Sequence, residues 1–389
     1  MAVEILSPLD YQVFQRDGDG QAVIPVVIEA PRVEDQVQAR LLLLPTYTEY
    51  RTHTGETTDW VDLAATAGGF KSGSVNYAGK LTGKAGGWYR LEVRVAGDNS
   101  TSWKQTPGAS LVGPCYPLTD YYQRPALVMH VGIGDVFICA GQSNSANSGW
   151  PPQLPQDERV VCFDGSCWRP AYDPQPLATN HGGSPWPILG DMLVRSLQVP
   201  IALISTGQGG TKAGTWQPLR NTAPLVERPN PDRDAKSTYP QPGQGPYLQL
   251  SRLAKMLGPK GVKAVLWHQG YSDARDGTTS EQYVQSMINI IESLNSDAGY
   301  RIPWMVAQEA VAPYPESDSQ AIRHGQQALW NSPLVYQGPT TDDMLGPKFR
   351  HDMDHFNELG LRIHAERWFA MLWSQFYAVV PIGVSSDNS

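Results

Sequence analysis

The chain is 389 residues long, and no apolar run in it approaches the ~20 residues needed to cross a bilayer, so a membrane-spanning helix is excluded. No cluster of Lys or Arg stands out and the formal net charge is −8, which excludes a nucleic-acid surface, because phosphate binding needs a basic face. Cysteine is scarce, with 4 in all, and no Cys/His spacing marks a metal site. Cys162 and Cys167 bracket a Phe-Asp-Gly-Ser turn and are placed to form a disulfide; small buried thiols are an equally good reading. The opening Met-Ala-Val-Glu-Ile-Leu-Ser-Pro has no basic stretch followed by an apolar one, so no secretory leader is read. Localisation stays open, an extracellular or virion-associated setting included.

What is present is ordinary for a folded enzyme. Hydrophobic residues make up 41% and charged residues 17%, too apolar for disorder, and 37 Gly with 32 Pro announce many loops. The length suits two domains, or one large domain with an attachment. The first third carries short runs rich in branched and aromatic residues, Ala22–Ile28, Ala39–Leu44 and Trp88–Val95, separated by Gly/Asp/Asn clusters. They predict a small immunoglobulin-like β-sandwich over residues 1–105, then a Pro/Gly/Tyr-rich connector at 106–130. The sequon at Asn99 is too short a pattern to carry weight.

The periodicity then changes. Strand-like runs at Asp135–Ala140, Ile201–Ser205, Ala264–His268, Trp304–Gln308 and Leu334–Gln337 alternate with helical segments at Ile188–Leu197, Tyr247–Leu257, Glu281–Leu294, Asp318–Trp330 and Glu358–Phe376. On the last of these the apolar stripe is read around Leu359, Ile363, Arg367 and Leu372. Alternating strands and helices predict an α/β domain at 131–380, a three-layer arrangement with a five-stranded parallel sheet between helices, and a tail at 381–389. Such a sheet places its ligand beyond the carboxyl ends of the strands, so the residues just after each strand are the ones to read.

Those ends carry Gly141-Gln142-Ser143-Asn144, Thr206-Gly207-Gln-Gly209-Gly210-Thr211 and Gln269-Gly270-Tyr271-Ser272-Asp273; His351-Asp352-Met-Asp354-His355 precedes the final helix. A hydroxyl, a Gly-rich turn with free amides, a carboxamide and an Asp/His pair are the set that acyl transfer requires. Each has a purely structural alternative. Ser143 or Asn144 suits a helix cap, Asp352 suits the cap of the last helix, and Gln269 suits a satisfied interior amide. The Gly-rich turn fits neither the dinucleotide nor the Walker pattern, since Lys212 stands where the former needs its third Gly. The α/β-hydrolase elbow Gly-x-Ser-x-Gly is also not met, because Ser145 occupies the second Gly position.

Taken together, Gly134–Asn144, Gly209-Gly-Thr with Trp216-Gln-Pro, Leu266-Trp-His-Gln-Gly and Asp352-x-x-His355-Phe resemble the SGNH hydrolase superfamily, specifically its sialate O-acetylesterase type, over residues 130–375. The resemblance implies a flavodoxin-like hydrolase that removes acetyl groups from a carbohydrate with no cofactor and no metal. Ser143 would be the nucleophile, His355 the base and Asp352 its partner, with Asp354 the lesser candidate for that place. The oxyanion hole would come from the Ser143 and Gly210 amides and the Gln269 side chain. Gln142, Asn144, Tyr271, Trp186 and Trp216 are the expected substrate contacts; Trp150 and Trp267 also lie near the motifs, though Trp267 ends a strand and reads as core. One departure stands out: the family pattern is Gln-Gly-Glu-Ser, and here Tyr271 replaces the Glu. With the β attachment, it motivates a second reading, a glycan-binding or structural module on a weakened esterase scaffold. Nothing in the pattern specifies an oligomeric state.

Overall fold

The computed structural model describes residues 2–33, 36–44, 57–66, 73–95, 104–105, 127–218, 245–310 and 316–378. The sequon at Asn99, the connector stretch 106–126, Cys115 and the tail lie outside them. The fold is mixed α/β, with helices packed on a large sheet. Strands β1 (Ala2–Ser7), β2 (Gln12–Gln15), β3 (Gln21–Pro31), β4 (Val37–Leu43), β5 (Val61–Thr66), β6 (Ser74–Lys84), β7 (Trp88–Val95) and β8 (Lys104–Gln105) fill the N-terminal third. Most pairings there are antiparallel, β3 with β1 and β6, β5 with β4 and β6, and β4 with β7. Burial alternates along β4 and β7, the period of strands with one covered face. Ile24, Val26, Ile28, Leu41, Leu81 and Leu91 meet in one apolar cluster.

Strand β9 (Leu127–Gly141) is 15 residues long and serves both halves of the chain. Its first residues pair with β7 and β2, and its last with the strands on either side in the C-terminal part. There β10 (Val160–Phe163), β12 (Ile201–Ser205), β9, β13 (Ala264–His268), β14 (Trp304–Gln308) and β15 (Val335–Thr340) run parallel in that spatial order, with β11 (Trp168–Pro170) antiparallel at the edge. Strand β10 joins the five expected from the sequence. Its four-residue apolar run is short enough to be overlooked. These strands are buried on both faces, which is why they read as continuous apolar runs.

Helices α1 (Trp186–Leu197), α2 (Pro246–Leu257), α3 (Tyr271–Arg275), α4 (Ser280–Ala298), α5 (Glu316–Leu329) and α6 (Glu358–Leu372) complete the fold. Alternate residues of β9 face different cores. Val136, Ile138 and Ala140 meet residues of α2 and α4, whereas Phe137 and Cys139 meet α1 and α6. Sequence chemistry ends the helices. Thr279 and Gln282 form a capping box at α4, and Gly299 closes it in the left-handed conformation. On α6 the buried stripe is Leu361, His364, Ala365, Trp368 and Leu372. The expected stripe was displaced. Leu359 is exposed, and Arg367 instead pairs with Asp343 at the surface.

A buried ionic knot ties the halves together. Asp135 on β9 accepts from Arg16 Nη2 at 2.8 Å, Arg16 Nε at 3.1 Å, Gln15 Nε2 at 3.0 Å and Tyr377 Oη at 2.8 Å. Burial alone would raise the Asp135 carboxyl; the Arg16 hydrogen bonds and charge, with Lys263 and Gln15, outweigh it and hold it below the ordinary value. The suggested Cys162–Cys167 bridge does not exist. Cys162 is a free buried thiol, and Cys167 is disulfide-bonded to a partner outside the described residues.

Candidate active site

The β9 strand stops at Gly141, whose φ of +129° and whose approach to the His268 carbonyl leave no room for a Cβ. The chain turns there into a single 3-10 turn, Ser143–Ser145, with no side-chain cap. That removes the capping account of Ser143. The neighbouring Gly210, at φ +70°, turns the loop after β12. Its N–H and that of Ser143 have no protein acceptor among the described residues, whereas the Gly209 N–H is held by Thr179 Oγ1 at 2.7 Å.

The Asp/His pair is also released from capping duty. Helix α6 is capped by Asn357, whose side chain accepts from the Gly360 N–H at 3.0 Å. Asp352 Oδ2 lies 2.8 Å from His355 Nδ1, while its Oδ1 accepts the N–H groups of Asp354 at 2.7 Å and His355 at 2.6 Å. Partial burial would raise the Asp352 carboxyl, but these hydrogen bonds, chiefly that of His355, keep it below its ordinary value. An ionised Asp352 holding Nδ1–H leaves His355 Nε2 as the basic nitrogen. Asp354 does not reach the His355 ring in this way. Its side chain accepts from Tyr271 Oη at 3.0 Å, and its carbonyl accepts from Asn144 Nδ2 at 3.1 Å and from Arg350 Nη1.

Ser143, Gly210 and His355 line one cleft of about 300 Å³ at the carboxyl ends of the parallel strands, with Gln142, Asn144 and Tyr271. Thr179, Asn180, Gln208, Arg275 and Glu309 line it too, and the sequence reading had not singled them out. Glu309 follows β14 directly, so the strand-end rule would have found it. Thr179 and Asn180 sit on a loop far from any motif and carry no such signal.

Three expected contacts are corrected. Gln269 is 0% exposed, and its Nε2 donates to Asp273 Oδ2 at 2.5 Å, Thr211 O at 3.2 Å and Gln142 Oε1 at 3.3 Å. Its carboxamide thus lies beneath the cleft with Nε2 committed, an interior amide whose Oε1 has no hydrogen-bond partner among the described residues. Trp186 and Trp216 are likewise fully buried, bonding Ser145 O at 2.9 Å and Thr211 Oγ1 at 3.0 Å, so they brace the loops from below. Trp267 is core, as read, and of the four tryptophans near the motifs only Trp150 is exposed, at 58%. Gln142 is a brace as well, since its Oε1 takes the N–H groups of Gly270 at 3.3 Å and Ser272 at 3.1 Å.

The carboxyl missing at position 271 has a neighbour in its place. Glu309 Oε2 accepts the Tyr271 N–H at 3.1 Å. Burial, then the nearby Asp342, pushes the Glu309 carboxyl up to about 8, against the lowering effect of the Tyr271 N–H.

A polar cleft of this make-up, at the carboxyl ends of parallel strands, belongs to a carboxylic ester hydrolase. The sequence pattern of the family described as carbohydrate esterase, sialic acid-specific acetylesterase, matches residues 133–366, more than half of the chain, and the chain belongs to that family. A carbohydrate acetylesterase from Xanthomonas citri is similar over 94% of this chain and 73% of its own, at 17% identity and a TM-score of 0.53, a likeness of fold. A protein from Arabidopsis thaliana matches 62% of this chain and 98% of its own, at 20% identity and a TM-score of 0.48. No curated protein sequence matches the chain.

Proposed function

We propose that this carbohydrate acetylesterase works by a serine mechanism without a metal. Ser143 Oγ attacks the acetyl carbonyl while His355 Nε2 takes its proton, and the developing oxyanion is held by the N–H groups of Ser143 and Gly210. The intermediate collapses as His355 returns the proton to the departing sugar oxygen, leaving acetyl-Ser143. Water, deprotonated by His355, then releases acetate. Asp352 orients His355 and stabilises its charged form. The observation that carries the reading is the meeting of Ser143, two uncommitted amides and an Asp-held His in one cleft.

The substrate is an acetylated sugar or polysaccharide. Asn144, Asn180, Gln208, Arg275 and Tyr271 give the walls hydrogen-bonding groups suited to hydroxyls. Tyr271, tied to Asp354 by its hydroxyl and to Glu309 by its N–H, does the bracing that a carboxylate would otherwise do. The finer architecture we infer is a three-layer parallel sheet of the flavodoxin-like kind over 131–380, preceded by a β-sandwich over 1–105. Helices against opposite faces of β9 and a shared apolar cluster among the N-terminal strands support it.

Acetate release from a panel of acetylated glycans, with Ser143→Ala as control, tests the reading. The variant should lose release while keeping its fold; wild-type rates from it would remove Ser143 from the mechanism.

A further inference from the structure

Beside the proposed base stands a second imidazole with no part in hydrolysis. His351 Nε2 lies 2.9 Å from the Ser148 carbonyl oxygen, which can only accept, so Nε2 donates there and Nδ1 is the ring nitrogen left for a ligand. Nδ1 lies 3.9 Å from Asp352 Oδ2. The same Oδ2 is 2.8 Å from His355 Nδ1. One ligand atom from each of the three residues lies within 4.8 Å of the others. Oδ1 of Asp352 is already taken by two backbone N–H groups, which fixes the carboxylate and leaves Oδ2 for the imidazoles.

Two imidazole nitrogens and a carboxylate oxygen gathered this closely form a set of metal ligands. Ligands of a tetrahedral zinc ion stand about 3.4 Å apart, given bonds of about 2.0–2.1 Å. The His351–Asp352–His355 triangle brackets that spacing and needs only side-chain adjustment. The three side chains are 25–45% exposed, so an ion and a water completing its shell have access. Two imidazoles and one carboxylate suit zinc and its late first-row neighbours far better than magnesium or calcium.

We propose that His351, Asp352 and His355 form an inhibitory site for a divalent transition metal, zinc in the first instance. Its inhibitory effect rests on the role of His355 proposed above; the binding itself does not. A metal on His355 Nδ1 confines the ring's proton to Nε2, the nitrogen that must accept the proton of Ser143. The ion also takes Asp352 away from the imidazole. Hydrolysis then stops with no change in fold, and removal of the metal restores it.

The test is a zinc chloride titration of the full chain, read by calorimetry and by acetate release, on wild type, His351→Ala, His351→Gln and Ser143→Ala. We expect one ion per chain on wild type and Ser143→Ala alike, with inhibition tracking occupancy and reversed by EDTA. Both His351 variants should keep the metal-free rate and need at least about tenfold more zinc for half-inhibition. His351→Gln retains a donor for Ser148 O, so a loop defect in His351→Ala would be exposed by comparison. No binding by wild type up to about 1 mM zinc, or inhibition indifferent to His351, overturns the proposal, as does binding without inhibition in an active enzyme. If no substrate yields acetate but zinc still binds through His351, the metal site stands and the hydrolytic reading falls.

Discussion

Truncation of Gln269 separates two roles of nearly equal energy by the observable in which each appears. In Gln269→Ala the Nε2 bond to Asp273, 2.5 Å long and made to a carboxyl group, is lost. A bond of that kind contributes about 1.5–3 kcal/mol. The bonds to Thr211 O and Gln142 Oε1, at 3.2 and 3.3 Å, go with it and add about 0.5–1.5 kcal/mol each. The expected loss is therefore about 2.5–6 kcal/mol of folding stability, a large share of the ~5–15 kcal/mol of a typical domain. A donor aimed at the oxyanion would be worth a similar amount, about 2.7–4 kcal/mol, but in kcat. Urea denaturation and acetate-release kinetics on the same preparation decide between them. The buried carboxamide predicts a lowered urea midpoint and, at temperatures where the variant is folded, a kcat within about tenfold of wild type. A hundredfold loss of kcat at an unchanged midpoint would refute the structural assignment and return Gln269 to the oxyanion hole.

Other perturbations follow from the same geometry. Tyr271→Phe removes the 3.0 Å bond to Asp354 and should cost about 1 kcal/mol, seen as a lower melting temperature and a less than tenfold fall in kcat. Tyr271→Glu puts a further carboxyl beside Glu309 and Asp354, so its stability should fall more at pH 8 than at pH 6, measured by thermal melts; equal losses would show that these groups do not interact. Glu309, raised from 4.5 to about 8, holds a proton in the folded state that the unfolded chain has released, so its contribution to stability is lost as pH rises across that window. The slope is up to about 1.4 kcal/mol per pH unit, and Glu309→Gln should abolish it in urea midpoints taken from pH 5 to 8. Asp135 behaves oppositely: its carboxyl is held below 3.8, so its contribution is present above that pH and disappears as acid protonates it. Asp135→Ala should cost about 3–5 kcal/mol at pH 7 by leaving Arg16 unpaired, and the deficit should narrow in melts below about pH 4.

Much of this molecule could be read from its residues, for physical reasons that also mark where the reading failed. Strands such as Ile201–Ser205 and Ala264–His268 declare themselves because a strand covered on both faces must be apolar throughout. That Ser143 and Gly210 would meet in one cleft was legible because a parallel sheet gathers its strand ends, and His355 joins them from the loop ahead of α6. Depth was not legible. The strand-end rule places a residue at the right end of the sheet without saying whether it faces the cleft or lies one layer beneath, which is how Gln269 and Trp216 were misassigned. Tryptophan near a motif serves a sugar and a loop brace equally well on paper; burial decides. The α6 stripe was displaced because His364 and Gly360, both buried, count as polar or neutral in any periodicity of apolar residues. Thr179 and Asn180 reach the cleft through long-range backbone bonds, Thr179 N–H to Gly207 O among them, which no local pattern encodes.

Because one strand runs between β7 and β2 in the N-terminal unit and through the middle of the catalytic sheet, the two parts are not interchangeable cassettes. Excision of the N-terminal residues would strip the partners from the first half of β9 and bare Val128, Val131 and Ile133 to water, an open and sticky edge. It would also leave Asp135, six residues upstream of Gly141, without its Arg16 counter-charge. A relative that discards its β attachment must therefore rebuild this strand as well, and any attempt to graft the attachment elsewhere must carry part of the catalytic sheet with it.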